Sequence, residues 1–96
     1  MLKHKNTNDL ILYRERMGYT QRHVAVLLGL KGTALLSRLE AGGRLPHLIT
    51  ALKLAAIYRV PVDFLYSGLY RELRGVMRLR EEQLEATAKQ PTLPLA

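Results

Sequence analysis

Apolar positions along this chain recur mainly at three- and four-residue intervals, the period of a helix rather than of a strand. Leu10, Leu12, Tyr13 and Met17 predict a first helix over about Asn8–Met17, with Asn6-Thr7-Asn8 offering caps and Gly18 a stop. Thr20 is a good N-cap, and Val24, Ala25, Leu27 and Leu28 then predict a second helix over about Thr20–Leu28. Gly29 can take the left-handed conformation that ends a helix, and Leu30 can pack back under the turn. Leu35, Leu36 and Leu39, set against polar Lys31, Thr33, Ser37 and Arg38, predict a third helix over about Thr33–Glu40, closed by Gly42-Gly43. Pro46 introduces a fourth over about His47–Tyr58, with Leu48, Ile49, Leu52, Ala55, Ala56 and Tyr58 as a broad apolar face. Val60-Pro61-Val62-Asp63 breaks that helix and starts a fifth over about Val62–Ser67.

Beyond Gly68 the pattern thins. Leu69 to about Ala88 can form one last helix, with a narrow stripe of Leu69, Leu73, Val76, Met77 and Leu84 interrupted by Gly75 and Arg80. Gln90-Pro91-Thr92-Leu93-Pro94 reads as a frayed tail. The expected fold is all-α: a five-helix DNA-binding domain over residues 1–68, then a C-terminal helix and tail over residues 69–96. Helices two and three, joined across a glycine-containing turn, form the helix-turn-helix plan, whose second helix fits a DNA major groove.

Length and composition agree with a small binding module. Ninety-six residues allow one domain with one modest core. The chain has no cysteine, which excludes disulfides, thiolate catalysis and cysteine–zinc sites. No apolar run approaches the roughly 18 residues of a membrane span, and the N-terminus lacks a secretory apolar segment, so a soluble, cytoplasmic protein is expected.

Charge sharpens the picture. The formal net charge is +7. Residues 1–46 carry eight Lys or Arg (among them Lys3 and Lys5) against three Asp or Glu, whereas residues 75–96 balance. The excess therefore lies on the segment with the two-helix plan, which points to a polyanion partner, nucleic acid being the commonest.

These residues together resemble the Cro/repressor-type (XRE-like) helix-turn-helix family. The resemblance covers about Leu10 to Gly68. It rests on Arg14, Gly18-Tyr19-Thr20-Gln21, Val24-Ala25, Leu28-Gly29, Ser37-Arg38-Leu39-Glu40-Ala41-Gly42, Pro46 and Val60-Pro61-Val62-Asp63-Phe64-Leu65. From Gly29 to Glu40 the chain is one residue longer than the usual family pattern. The extra residue lies in Lys31-Gly32, and glycine is a weak helix start.

The resemblance implies roles for single residues. Gln21 matches the amino end of helix two, where side chain and free N–H groups meet a phosphate, and Arg22 beside it is counted among the DNA-binding residues. Thr33, Ala34 and Arg38 match the positions that face the bases, with Gly32 before them counted among the DNA-binding residues, and an arginine fork can pair with guanine O6 and N7. Ala34 can only touch a thymine methyl, and Lys31, Ser37 and Arg44 suit contacts to the DNA backbone. Arg14 and Glu40 match a structural ion pair that fixes helix three against helix one.

Catalysis finds no foothold. His4, His23 and His47 lack metal-ligand spacing, and Glu81 and Glu85 beside Arg78 and Arg80 look like a salt-bridged surface. No phosphate-cradling glycine loop or nucleophile motif is present, and neither cofactor nor metal is expected. Two functions remain open. The first is a sequence-specific transcription regulator, a repressor binding double-stranded DNA at a palindrome as a homodimer, because one recognition helix reads only a few base pairs. The second is an antitoxin or adaptor on the same scaffold, whose last helix grips a protein partner.

Overall fold

The computed structural model describes residues 7–88, and every regular element in that range is helical. In chain order these are α1 (Leu10–Arg16), α2 (Gln21–Leu27), α3 (Ala34–Ala41), α4 (Leu48–Tyr58), α5 (Val62–Leu65) and α6 (Ser67–Ala88). All lie within about two residues of the sequence expectation. Asn6, the basic pair Lys3 and Lys5, His4 and the tail at Gln90–Pro94 lie outside the described residues.

The turns follow from backbone chemistry. Thr20 Oγ1 accepts the His23 N–H at 3.1 Å, which satisfies one of the donors left over at the start of α2. Gly29 stands at φ +79°, a conformation that a side chain disfavours. It lets the Leu30 N–H reach back to the Ala25 carbonyl at 2.9 Å and the Gly29 N–H to Val26 at 3.0 Å. That double closure ends α2, with Leu30 packed against the core. Gly18 and Gly42 end α1 and α3 in the same hand, but Arg59 does so for α4 with φ +60°. The chain thus turns at Arg59, one residue before the Val60-Pro61 break that the sequence suggests.

Leu10, Leu36, Leu39, Leu54, Leu65 and Val24 are the fully buried large side chains, with Leu28, Tyr58 and Tyr66 completing the core. Three apolar faces differ from the expectation. On α2, Leu27 is half exposed, because the buried set is Val24, Ala25 and Leu28. On α4, Leu48, Ile49, Leu52 and Ala56 face outward, while Ala51, Leu54 and Tyr58, at i, i+3 and i+7, turn inward. Leu12 of α1 is likewise exposed.

The fifth helix shrinks to a single turn, and α6 begins at Ser67 rather than Leu69. Ser67 Oγ donates to Asp9 Oδ2 at 3.0 Å, and the Asp9 N–H donates to the Leu65 carbonyl at 2.9 Å. These bonds anchor the start of α6 to the start of α1. Beyond Leu69 the helix leaves the bundle: its 22 residues contain no buried side chain, and the described chain measures 58 × 24 × 21 Å.

The hydroxyls of Tyr58 and Tyr66 are buried without a hydrogen-bond partner among the described residues. Burial pushes both phenols up to about 12, the Glu40 carboxylate adding to the shift at Tyr58. A phenol whose folded pKa is raised contributes stability below the unfolded value near 10 and loses it as pH climbs toward 12. Urea unfolding should therefore show stability falling between pH 10 and 12, by at most about 1.4 kcal/mol per pH unit for each tyrosine. Tyr66→Phe should reduce that slope by about half. At neutral pH it should leave stability equal or higher, since it removes an unpaired buried hydroxyl.

Candidate nucleic-acid interface

The third helix presents two unlike faces. Leu36, Leu39 and Glu40 are buried, whereas Ala34, Ser37, Arg38 and Ala41 are exposed. The exposed four fall at i, i+3, i+4 and i+7, so they form one stripe along the helix. A short helix whose outer stripe is made of small side chains apart from one arginine can lie close against a groove floor.

The inner face is fixed by a polar junction. Arg14 Nε of α1 meets Glu40 Oε2 at 2.7 Å, and its Nη2 reaches Oε1 at 3.3 Å. The side chains are 16% and 3% exposed. A planar fork against a carboxylate fixes direction as well as distance. The bond to Glu40 holds the Arg14 guanidinium more firmly protonated than usual, against the opposing cost of burial. Arg14 Nη1 also donates to the Tyr19 carbonyl at 3.0 Å, which ties in the α1–α2 turn.

Gln21 joins the same carboxylate: its Nε2 donates to Glu40 Oε1 at 2.8 Å. The side chain assigned by resemblance to a phosphate thus gives one of its two N–H donors to α3. Beside it at the start of α2, Arg22 is exposed.

Asn8 is a further member that the sequence marked only as a cap. Its Oδ1 accepts the Leu10 N–H at 3.0 Å, and its Nδ2 donates to the Leu39 carbonyl at 2.9 Å. One carboxamide therefore caps α1 and holds the end of α3. An asparagine two residues ahead of an apolar run was the available signal, and it specified the cap without the long-range partner.

The other candidates cluster by position. Arg22, Lys31, Gly32 and Thr33 line one depression of about 340 Å³ between α2 and the loop that precedes α3. Gly32 lies in that loop, outside the helix, with open space where a Cβ would stand. Lys31-Gly32, where the resemblance places one extra residue, therefore lies ahead of α3. Thr33 caps α3 by position only, and its side chain makes no cap hydrogen bond. Arg44 is exposed in the loop after α3, off the stripe formed by Ala34, Ser37 and Arg38.

Among the described residues, no three His, Asp or Glu side chains gather as a metal site, and no helix is long and apolar enough to cross a membrane. His23 and His47 are exposed and far from one another in sequence.

A family profile for helix-turn-helix domains matches residues 10–65, from the first residue of α1 to the last of α5. Neither a curated protein nor a solved structure matches the chain. The matched span covers more than half of the chain and contains the whole Arg14–Gln21–Glu40 junction together with the three helices that it joins. The chain belongs to the XRE-type helix-turn-helix family of DNA-binding regulators.

Proposed function

We propose that this protein is a sequence-specific transcription regulator, a cytoplasmic repressor that binds a palindromic operator as a homodimer. The observation that carries the reading is the exposed stripe of α3, held in place from behind by the Arg14–Glu40 pair. Arg38 is the one side chain on that stripe with a fork able to read guanine. Ser37, Lys31 and Arg44 contact the DNA backbone, Ala34 and Thr33 lie near the bases, and Gly32 permits close approach of the loop. Residues 1–68 supply recognition, and residues 69–96 supply assembly. The net charge of +7 supports an electrostatic contribution to affinity.

Two substitutions test the assignment. Arg38→Ala should cost about 1–3 kcal/mol at one base position and relax preference there. Gln21→Ala should weaken binding to all sequences about equally, because it loosens α2 on α3 without touching a base. Binding profiles over a set of single-base operator variants separate the two. An Arg38→Ala protein with unchanged base preference would reduce Arg38 to a phosphate contact.

A second reading, an antitoxin or adaptor that grips a protein partner, is favoured by one observation: Tyr70, Leu73, Met77 and Leu84 are exposed along α6. A stable complex between the full chain and an unlike protein, formed in place of the homodimer, would select it.

A further inference from the structure

The exposed residues of α6 are spaced for another helix. Tyr70, Met77 and Leu84 recur at intervals of seven, with Leu73 between the first two, and they are 47%, 40%, 54% and 41% exposed in that order. A seven-residue repeat keeps one seam facing a partner helix along its whole length. Arg80 and Thr87 follow Leu73 at the same interval and complete the second row of the seam.

Charge along α6 decides the direction of that partner. From Ser67 to Arg80 the helix carries four arginines (Arg71, Arg74, Arg78 and Arg80) against Glu72. From Glu81 to Ala88 it carries three glutamates (Glu81, Glu82 and Glu85) and no basic residue. A parallel pair of identical helices would lay arginine half on arginine half, with Arg80 facing Arg80 inside the seam. An antiparallel pair lays the basic half of each helix on the acidic half of the other.

We propose that α6 pairs antiparallel with α6 of a second copy of this chain; the proposal rests on the homodimer reading above and adds its geometry. Setting Leu73 opposite Leu84 of the partner subunit places Arg80 across from Met77 of the partner subunit. The aliphatic stem of Arg80 then covers apolar surface while its head reaches water. Arg74 and Glu81 each follow a seam residue by one position, so they meet on one flank with opposite charge; within one chain Glu81 already accepts from Arg78 Nη1 at 2.8 Å, so its carboxylate would serve both arginines.

Two further features fit this arrangement. An apolar groove of about 420 Å³, lined by Pro46, Tyr66, Leu69, Tyr70 and Leu73 among others, lies at the start of α6. In the antiparallel pair the far end of the partner helix arrives at that groove, so groove and stripe form one continuous surface. The same register sets the two Ser67 positions about 35 Å apart along the pair, from roughly 23 residues at 1.5 Å each. Two DNA-binding domains attached there are spaced for successive major grooves, about 34–36 Å apart. A parallel pair would instead start both helices at one end, about 8–10 Å apart.

The absence of native cysteine makes the orientation directly readable. Leu73→Cys and Leu84→Cys full-length chains, one of them carrying a mass tag, are mixed and mildly oxidised. The expected product is the tagged–untagged disulfide between positions 73 and 84, with little self-linkage of either variant. Self-linkage of each variant at equal or greater rate would overturn the antiparallel arrangement while leaving the dimer standing. A native chain that is monomeric by light scattering at micromolar concentration would overturn the dimer and the arrangement together. Charge reversal gives an independent reading: Arg74→Glu should weaken dimerisation about tenfold or more. Adding Glu81→Arg to that chain should restore it to within about threefold, and failure to restore would also overturn the proposal.

Discussion

Glu40→Ala is expected to cost about 3–5 kcal/mol of stability, because it leaves the Arg14 guanidinium largely buried without its carboxylate. For a domain of this size that loss corresponds to a fall in melting temperature of roughly 12 °C or more. Arg14→Met, which keeps the aliphatic stem, should also destabilise strongly, since the nearly buried Glu40 would retain only the Gln21 amide as a side-chain donor. The informative measurement is the double-mutant cycle. Arg14→Met with Glu40→Ala should be distinctly less destabilised than the sum of the single losses, because neither charge is then left alone. Additive effects would show that the pair carries no coupling and that α3 is held by its leucines.

Leu73→Glu combined with Met77→Glu is expected to turn a dimer into a folded monomer. Both side chains are exposed in the single chain, so the monomer should lose only a few tenths of a kcal/mol. Operator affinity should fall about a hundredfold or more, since two half-sites would no longer be engaged by one assembly. Light scattering and binding to the operator check the two halves of the prediction. A variant that stays dimeric would move the interface away from α6.

Much of this fold is legible in the sequence, for identifiable reasons. Gly18, Gly29 and Gly42 mark helix ends because the left-handed turn admits few other residues, and each lies where the apolar period stops. Arg59 makes the same turn without any such mark, so the end of α4 could be placed only by the following Val60-Pro61. Periodicity located α4 but not its inner face. The helix is apolar nearly all round, and only packing shows that Leu54 rather than Leu52 enters the core. The start of α6 depends on Ser67 meeting Asp9, a contact across 58 residues that no local signal records.

The candidate site divides in the same way. Exposure of Ala34, Ser37 and Arg38 follows from helical spacing once Leu36 and Leu39 are taken as core. The placement of Gln21 does not, because its amide has a choice between solvent and the Glu40 carboxylate. The structure brings that carboxylate within 2.8 Å. Lys31-Gly32 likewise finds its place only in three dimensions, in the loop before α3.

Selection of duplexes from a random-sequence library by the full-length chain addresses DNA recognition most directly. The expected product is an inverted repeat with half-site centres about 10–10.5 base pairs apart or a multiple of that spacing. Its affinity should fall steeply between roughly 50 and 200 mM salt, as phosphate contacts give up their counterions. No enriched sequence, together with no duplex binding at roughly 50 mM salt, would contradict recognition of DNA by α2 and α3.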